Sequence, residues 1–469
     1  VTAGAALGLD QALSGRVAIW GMGQEGLALA ALALGRAITP VLIDDRPEEA
    51  SSRVAAALGA DLPVASPAAV PWSGLDVVVR SPGVSRYRPE LASARQAGVV
   101  VTTTMALWLV DRRDEGVLAV TGTKGKSTTA TLAAAVLAAQ GHRVDLVGNI
   151  GVPVVETYGR PPAGITVVEV SSYQASDVTV SPGVVVLTSL APDHLDWHGG
   201  VEPYYRDKLR LLEAGPAARI AVSAASAEAL ARTAGHRDRT LFGPEGRVAL
   251  SASGAVEVDG RAVAEVGQLR TPGRHDVWNL CGALAGVLLA TGEVPAPGAV
   301  AEALAGFTGL PSRCHPIGER DGRTYVDDAL ASNPFATATS LEAFPDRPLT
   351  VILGGADRGV DPAPLVAALA GRRPAPAAVV LDPDADRLAG LLEGRGLAAV
   401  RTAPTLAEAV ATADGMTPAG GVVLFSPGAP TPPGGGGYAA RSRAFAAAAR
   451  VDSPGPGGNG GAEQGGVRA

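Results

Sequence analysis

Ala119-Val120-Thr121-Gly122-Thr123-Lys124-Gly125-Lys126-Ser127-Thr128-Thr129 is the stretch that decides how this chain is read. An apolar run at 117–120 leads into two glycines bracketing a lysine, then a second lysine, hydroxyl side chains and a breaker-free, alanine-rich run at 130–139. The spacing predicts strand, tight turn and helix, the layout of a phosphate-binding loop. Glycines let backbone N–H groups turn onto phosphate oxygens, the helix N-terminus adds positive potential, and a hydroxyl can ligate Mg²⁺. The expected ligand is ATP, cradled by Gly122, Thr123, Lys124 and Gly125, with Lys126 on the β and γ phosphates and Ser127 or Thr128 on the metal. Gly122 stands three residues before Gly125 rather than five, so the loop is shorter than the common G-x-x-x-x-G-K-[ST] form.

The 469 residues exceed what one hydrophobic core serves, and three domains are expected. With 39 basic and 46 acidic residues the net charge is −7, which argues against nucleic acid as the main partner but leaves room for local basic pockets. Two cysteines, Cys281 and Cys314, imply no disulfide framework and fit a reducing cytosol. Residues 1–13 lack the basic and long apolar regions of a signal peptide, and no run of about 18 apolar residues predicts a membrane span. A soluble cytoplasmic protein is expected. Residues 453–469, mostly Gly, Pro and polar residues with almost nothing to bury, read as a disordered tail.

Upstream, Arg16-Val17-Ala18-Ile19-Trp20 runs into Gly21-Met22-Gly23-Gln24-Glu25-Gly26 and an alanine/leucine helix, and a second apolar run ends at Asp44-Asp45-Arg46. This is Rossmann order. A nicotinamide dinucleotide fits it, with Asp44 about 20 residues on at the ribose position; so does any other pyrophosphate set on a helix N-terminus. A nicotinamide-dependent oxidoreductase is therefore the remote alternative. Another strand, Val77-Val78-Val79, stops at Arg80-Ser81-Pro82-Gly83, and a UDP-type ligand fits between the two turns. Beyond the phosphate loop come Gly148-Asn149-Ile150-Gly151, a strand at 166–170 ending in Ser171-Ser172-Tyr173-Gln174, and a strand at 183–187 followed by Pro192-Asp193-His194-Leu195-Asp196-Trp197-His198. Alternating strands and helices predict a mostly parallel sheet whose strand ends converge on one edge. From Leu310-Pro311-Ser312-Arg313 the alternation resumes through apolar runs at 349–355, 377–381 and 421–428, a second Rossmann-like unit.

Together, Thr121 to Thr128, Gly148-Asn149-Ile150-Gly151, Glu169-Val170-Ser171-Ser172-Tyr173-Gln174 and Asp193-His194-Leu195-Asp196 resemble the Mur ligase family, in particular its glutamate-adding, MurD-like branch. The family's members are ATP-dependent amide ligases that build the peptidoglycan stem peptide on a UDP-linked muramic acid, and the likeness spans nearly the whole chain. It implies an α/β protein of three domains: a Rossmann-like UDP-substrate domain at 1–110, a P-loop-like ATPase domain with a mostly parallel sheet at 111–309, and a Rossmann-like glutamate domain at 310–452. By position, Gly23, Gln24, Glu25, Asp44, Arg46, Ser81 and Gly83 are expected to line the UDP pocket, with Asn149, Ser171 and Gln174 also against the UDP-substrate.

Forming an amide from a carboxylate requires a better leaving group than oxide, so ATP is expected to convert the carboxylate to an acyl phosphate that an amine attacks. Glu169, at a strand end facing the loop, is placed to ligate Mg²⁺ together with the loop hydroxyl. The resemblance makes His194 a ligand of a second Mg²⁺ and Lys208 a carbamylated lysine acting as an anion beside the metals. His198 has no family role and reads as a surface residue or a local structural partner. Asn279 resembles an adenine-contacting asparagine, although Asp276 stands where the motif commonly has another Asn. Arg313 and Asp328 resemble residues that reach ATP when the domains close about a linker near Leu310, excluding water from the acyl phosphate.

Glutamate carries two carboxylates, so its pocket needs cations and hydroxyl or N–H donors. The positions that match are Ser332, Arg358, Thr431 and Tyr438. The D-glutamate enzymes carry a lysine in an Asp-Ser-Lys-Ala-Thr segment, whereas Leu330 stands in Asp328-Ala329-Leu330-Ala331-Ser332. The loop from Ser426 differs as well, with prolines and four glycines before Tyr438. These features look like the group that adds L-glutamate to UDP-N-acetylmuramoyl-L-alanine and leaves inversion to a separate downstream epimerase; D-glutamate addition is the alternative. A monomer is expected.

Overall fold

The computed structural model describes residues 6–150, 152–162, 164–215, 219–236, 238–271, 273–357, 359–383, 385–432 and 434–451, with nothing stated of the Arg274 side chain. The chain divides into two compact units, Val1–Val266 with Trp278–Ala303, and Gly267–Val277 with Leu304–Ala469. Among the described residues it forms three sheets, an α/β architecture with mostly parallel strands.

The first sheet runs, in spatial order, Val64–Ala65, Val41–Ile43, Val17–Trp20, Val77–Arg80 and Val100–Thr102, all parallel. Val17–Trp20 and Val77–Arg80 are buried along their whole length, as strands covered on both faces must be. Leu29, Ala30 and Ala33 of the helix Gln24–Gly35 pack with Val17 and Ile19, while Leu91 and Ala94 of the helix Pro89–Gln96 pack with Ala18 and Trp20. Later strands add on opposite sides of Val17–Trp20, which makes a topological switch point. Gly21–Gly26 and Ser81–Gly83 lie at the ends of the two strands flanking it.

The second sheet, in the same unit, runs Arg261–Glu265, Ala255–Val258, Val248–Leu250, Arg239–Phe242, Arg219–Ser223, Val184–Leu187, Val117–Thr121, Ile165–Glu169 and Val144–Gly148. Val117–Thr121 lies between Val184–Leu187 and Ile165–Glu169, parallel to both. The loop at 122–125, Glu169 and the segment from Thr188 therefore leave the sheet at one edge. The helix Lys126–Ala139 follows the loop and buries Ala130, Leu132, Ala133, Val136 and Leu137, each buried leucine side chain contributing about 1.5–3 kcal/mol. The last three strands form an antiparallel meander that no motif in the sequence announces.

The second unit carries a six-stranded sheet in the order His315–Arg320, Arg323–Asp327, Val422–Phe425, Leu349–Leu353, Ala377–Leu381 and Ala399–Ala403, parallel except for its first pair. The strands expected at 166–170 and 183–187 are Ile165–Glu169 and Val184–Leu187, so Glu169 is itself the last strand residue. No described helix is long and apolar enough to cross a membrane. Domain boundaries at 110/111 and 309/310 are our proposal, drawn through the sheet-free stretches after Thr102 and between Glu265 and His315. The tail expected at 453–469 lies outside the described residues.

Candidate functional site

The turn after Val117–Thr121 is sterically committed to glycine. Gly122 adopts φ +145°, and a Cβ there meets Thr188 Oγ1 at 2.0 Å; Gly125 adopts φ +86°, with Asn279 Oδ1 2.3 Å from the corresponding point. The loop is fastened to the neighbouring strand end. Thr123 N–H donates to the Ser189 carbonyl at 2.8 Å, Lys124 N–H to Ser189 Oγ at 2.9 Å, and Thr188 Oγ1 to the Lys124 carbonyl at 2.5 Å. Lys126 Nζ donates to the Thr123 carbonyl at 3.0 Å, curled over its own loop. The helix Lys126–Ala139 starts at Gly125 with no capping side chain, which leaves first-turn N–H groups available to an anion. Thr128, one turn in, is buried.

Glu169 is fully buried. Ser127 Oγ donates to its Oε2 at 2.6 Å and Asn149 Nδ2 to its Oε1 at 2.9 Å. The close approach that brings Asn149 there uses Gly148 at φ +108°, where a Cβ would lie 2.3 Å from the Glu169 carbonyl oxygen. Lys208, on the helix Val201–Glu213, is also buried and donates to the Gly122 carbonyl at 2.8 Å. Burial first, then the nearby Lys126 ammonium, hold its amine well below the ordinary lysine range. His194 occupies the left-handed region at φ 52° and is half-buried. Its ring lies 4.9 Å from that of Tyr173. Burial, helped by the lysines at 124, 126 and 208, outweighs Asp193 and lowers its pKa to about 4, so the imidazole is neutral. Asp193 also faces Lys124 at 3.4 Å.

Among the described residues no three His, Cys, Asp or Glu side chains gather into a metal cage. The Ser127 hydroxyl and Glu169 carboxylate are hard oxygen donors suited to Mg²⁺, provided phosphate oxygens and water complete the shell. Neutral His194 has the protonation state of a metal ligand.

At the switch point of the first sheet, Asp44 is committed to the backbone: it accepts from Met22 N–H at 2.8 Å and Arg46 N–H at 3.0 Å. Ser81 Oγ donates to the Gly21 carbonyl at 2.6 Å. Glu25 accepts from Gln174 Nε2 at 2.7 Å and from Thr104, while Ser171 caps the short helix holding Gln174. Gly23, Gln24, Arg46 and Gly83 are exposed, with Arg46 paired to Glu49 at 2.8 Å. The two sheets of this unit are thus joined through Glu25 and Gln174. Asn279 reaches Gly125 and accepts from Thr129 Oγ1 at 3.4 Å.

In the second unit Ser332 lines a cleft with Gly354, Asp357, Arg387 and Pro430. Thr431 is half-buried, Tyr438 is 47% exposed, and neither lines this cleft. Arg358 lies outside the described residues. Asp328 is buried and accepts from Cys314 N–H, Ser340 Oγ and Ser426 Oγ at 3.0, 2.7 and 2.6 Å; burial raises its pKa. Arg313 is half-buried in the turn after Leu310. Sequence reasoning passed over Arg387, and also Arg441, which donates to the Gly354 and Ala429 carbonyls.

Two further residues are buried in polar networks. His198 is the buried structural partner rather than a surface residue: its Nδ1 lies 2.7 Å from Asp207 Oδ2 and its Nε2 3.0 Å from Ser172 Oγ. Arg80 is fully buried, bonded to Asp177, Ser176 and the Val84 and Tyr173 carbonyls.

A parallel sheet carrying a glycine–lysine loop, a buried carboxylate on the loop hydroxyl and a desolvated lysine beneath it defines the class: a multi-sheet α/β protein with a tight nucleotide-type loop. Comparison with known families gives the particular one. The Mur ligase middle domain matches residues 120–287, and the Mur ligase glutamate ligase domain matches residues 312–428. A Micromonospora sp. protein named UDP-N-acetylmuramoyl-L-alanine--L-glutamate ligase is 41% identical over 93% of this chain and 97% of its own. Proteins of the same name from Salinispora tropica and Xanthomonas axonopodis pv. citri are 40% and 36% identical over 93% of this chain and 97% and 95% of theirs. The chain belongs to the Mur ligase family. Its fold is shared with the UDP-N-acetylmuramate-alanine ligase MurC of Thermotoga maritima, at TM-score 0.58 and 21% identity over 92% of this chain and 98% of that one. It is shared also with Mycobacterium tuberculosis folylpolyglutamate synthase, at TM-score 0.56 and 18% identity over 74% and 93%.

Proposed function

We propose that this chain is a cytoplasmic, monomeric ATP-dependent ligase that adds L-glutamate to UDP-N-acetylmuramoyl-L-alanine in peptidoglycan precursor synthesis. The observation that carries the chemistry is the 2.6 Å bond between Ser127 and buried Glu169 at the mouth of the glycine–lysine loop. The substrate and its stereochemistry rest on the name borne by relatives 40% and 41% identical over nearly their full lengths.

In this reading the first-turn N–H groups of the helix Lys126–Ala139 and the Lys126 ammonium hold the triphosphate, Lys126 leaving the Thr123 carbonyl to do so. Ser127 and Glu169 would hold Mg²⁺, and His194 with Lys208 as its carbamate would hold a second ion. Bound there, the metals would neutralise charge on the transferring phosphoryl group. The alanine carboxylate oxygen attacks the γ phosphorus as ADP leaves, giving an acyl phosphate. The neutral amine of glutamate attacks that carbonyl carbon, phosphate departs and the amine's proton is lost. Lys208 suits carbamylation because burial favours its neutral amine, the form that adds CO₂. Gly23, Gln24, Glu25, Asp44, Arg46, Ser81, Gly83, Asn149, Ser171 and Gln174 face the UDP-substrate. Asn279, Arg313 and Asp328 serve ATP, and Ser332, Arg358, Thr431 and Tyr438 serve glutamate. An epimerase acting on the product follows from the L-glutamate reading.

Phosphate release from Mg-ATP and UDP-N-acetylmuramoyl-L-alanine, measured with each glutamate enantiomer in parallel, tests this. Turnover with L-glutamate is expected; turnover with D-glutamate alone overturns the stereochemistry, and none with either overturns the ligase. Lys126→Ala is expected to lose turnover with an unchanged melting temperature.

A further inference from the structure

Away from the glycine–lysine loop, the first unit contains a cavity of about 240 Å³ that shares no residue with the candidate site. Its walls are Val99, Val100, Val101 and Thr102, on and beside the edge strand of the five-stranded sheet, together with Leu7, Thr179, Asp177 and three arginines, Arg86, Arg95 and Arg210. Arg80 stands directly behind, bonded to the same Asp177 at 2.7 Å. Arg86 and Arg95 reach that carboxylate at 3.3 and 3.8 Å. The second carboxylate nearby, Asp207, lies 3.4 Å from Arg86 but is engaged by His198 and Tyr87.

Three guanidiniums, those of Arg80, Arg86 and Arg95, therefore share Asp177, and a fourth, Arg210, lines the same cavity. Arg95 Nη2 is enclosed and has no hydrogen-bond acceptor among the described residues. Arg210 is fastened through Nε to the Val178 carbonyl at 2.6 Å, and its fork makes no further hydrogen bond among the described residues. The excess of cations is felt electrostatically. Burial acts to raise the pKa of Asp177, yet the fields of Arg80, Arg86 and Arg95 override it and hold the carboxyl below its usual range. They also work against one another, for burial lowers the Arg95 pKa and Arg86 and Arg80 lower it further. A water occupies roughly 30 Å³ of liquid, so the space suits a larger guest, and guanidinium forks match planar or tetrahedral oxyanions with paired donors.

We propose that this cavity is a binding site for a small multivalent oxyanion, a phosphate or a polycarboxylate, gripped by Arg86, Arg95 and Arg210. It stands independently of the ligase reading. Two lines of contact lead from it toward the candidate site: Arg80 donates to the Tyr173 carbonyl at 3.0 Å, with the Tyr173 ring against His194, and Arg86 meets Asp207, next in sequence to Lys208.

Titration calorimetry of the full chain with inorganic phosphate and, separately, citrate tests the site. Lys126→Ala removes the competing grip of the glycine–lysine loop, and Arg210→Gln, on the exposed face of its helix, trims the cavity at the loss of one part-buried bond, from Nε to the Val178 carbonyl. We expect saturable binding of at least one anion that survives in Lys126→Ala within about twofold and weakens at least tenfold in Arg210→Gln and Arg95→Gln. Binding of phosphate alone or citrate alone supports the site and names its class. Binding of neither anion, loss in Lys126→Ala, or unchanged affinity in folded Arg210→Gln overturns it.

Discussion

Glu169 and Lys208 both reach the glycine–lysine loop, the first from a strand end at Ser127 and the second from a helix at the Gly122 carbonyl. Glu169→Gln keeps an oxygen for Asn149 and presents an N–H to the Ser127 hydroxyl oxygen, which can accept it, but removes the charge that would hold a cation. The expected result is a fall in kcat of at least about 100-fold with an unchanged melting temperature, read by phosphate release and thermal unfolding; activity within tenfold of wild type contradicts the assigned role. Lys208→Ala is expected to be nearly inactive and partly rescued by short carboxylic acids, which supply the missing anion. Gly125→Ala forces a side chain to φ +86° and onto Asn279 Oδ1. Such strain costs of order 1–3 kcal/mol, so turnover should drop before stability does.

Much of this residue-level picture is legible in the sequence. The glycines at 122, 125 and 148 and the carboxylate at Glu169 announce themselves by spacing. Lys208 was legible too, by a signal easily passed over: Tyr204, Tyr205, Lys208, Leu211 and Leu212 fall on one helical stripe and are all buried, so the lysine sits where an apolar residue belongs. His198 was not legible, because Gly199 and Gly200, at φ +79° and +141°, reverse the chain to bring Asp207 back onto it.

At the scale of elements, the apolar β-runs and their glycine turns are read easily because parallel strands buried on both faces need continuous Val and Leu. The meander at 248–265 is hidden because alternating small residues and glycines leave little period-2 contrast. Arg80 was read as part of a turn, yet it ends a buried strand, since Asp177 and three other acceptors satisfy it. Nothing near in sequence reveals that partner, 97 residues away. Removing one member of a buried ion pair typically costs about 3–5 kcal/mol, and Asp177→Asn is expected to destabilise the first unit on that scale by urea unfolding. The folded-state pKa of Asp177 is depressed. Its contribution is therefore complete above the unfolded value of about 3.9 and is lost as pH falls below that, through the folded pKa. Between pH 6 and 8 the gap between wild type and Asp177→Asn should stay constant, and it should shrink below pH 4; a gap that widens in acid contradicts the pairing.

For the whole molecule, three sheets among the described residues fall in two compact units: the first carries the residues that the ligase reading assigns to UDP-substrate and most of those it assigns to ATP, and the second carries those it assigns to glutamate together with Arg313 and Asp328. The succession of mostly parallel α/β sheets was legible from the alternation of strands and helices. In the ligase reading the handedness of the glutamate was not, because it turns on where a few donors point, which spacing does not encode. The account's central claim is that ATP activates a carboxylate by phosphorylating it, and ¹⁸O transfer tests this most directly. With UDP-N-acetylmuramoyl-L-alanine labelled in its terminal carboxylate, plus Mg-ATP and L-glutamate, one labelled oxygen should pass into each inorganic phosphate released, leaving the other in the new amide. Phosphate released without label, alongside amide product, contradicts the acyl phosphate and with it the roles given to Lys126, Ser127 and Glu169.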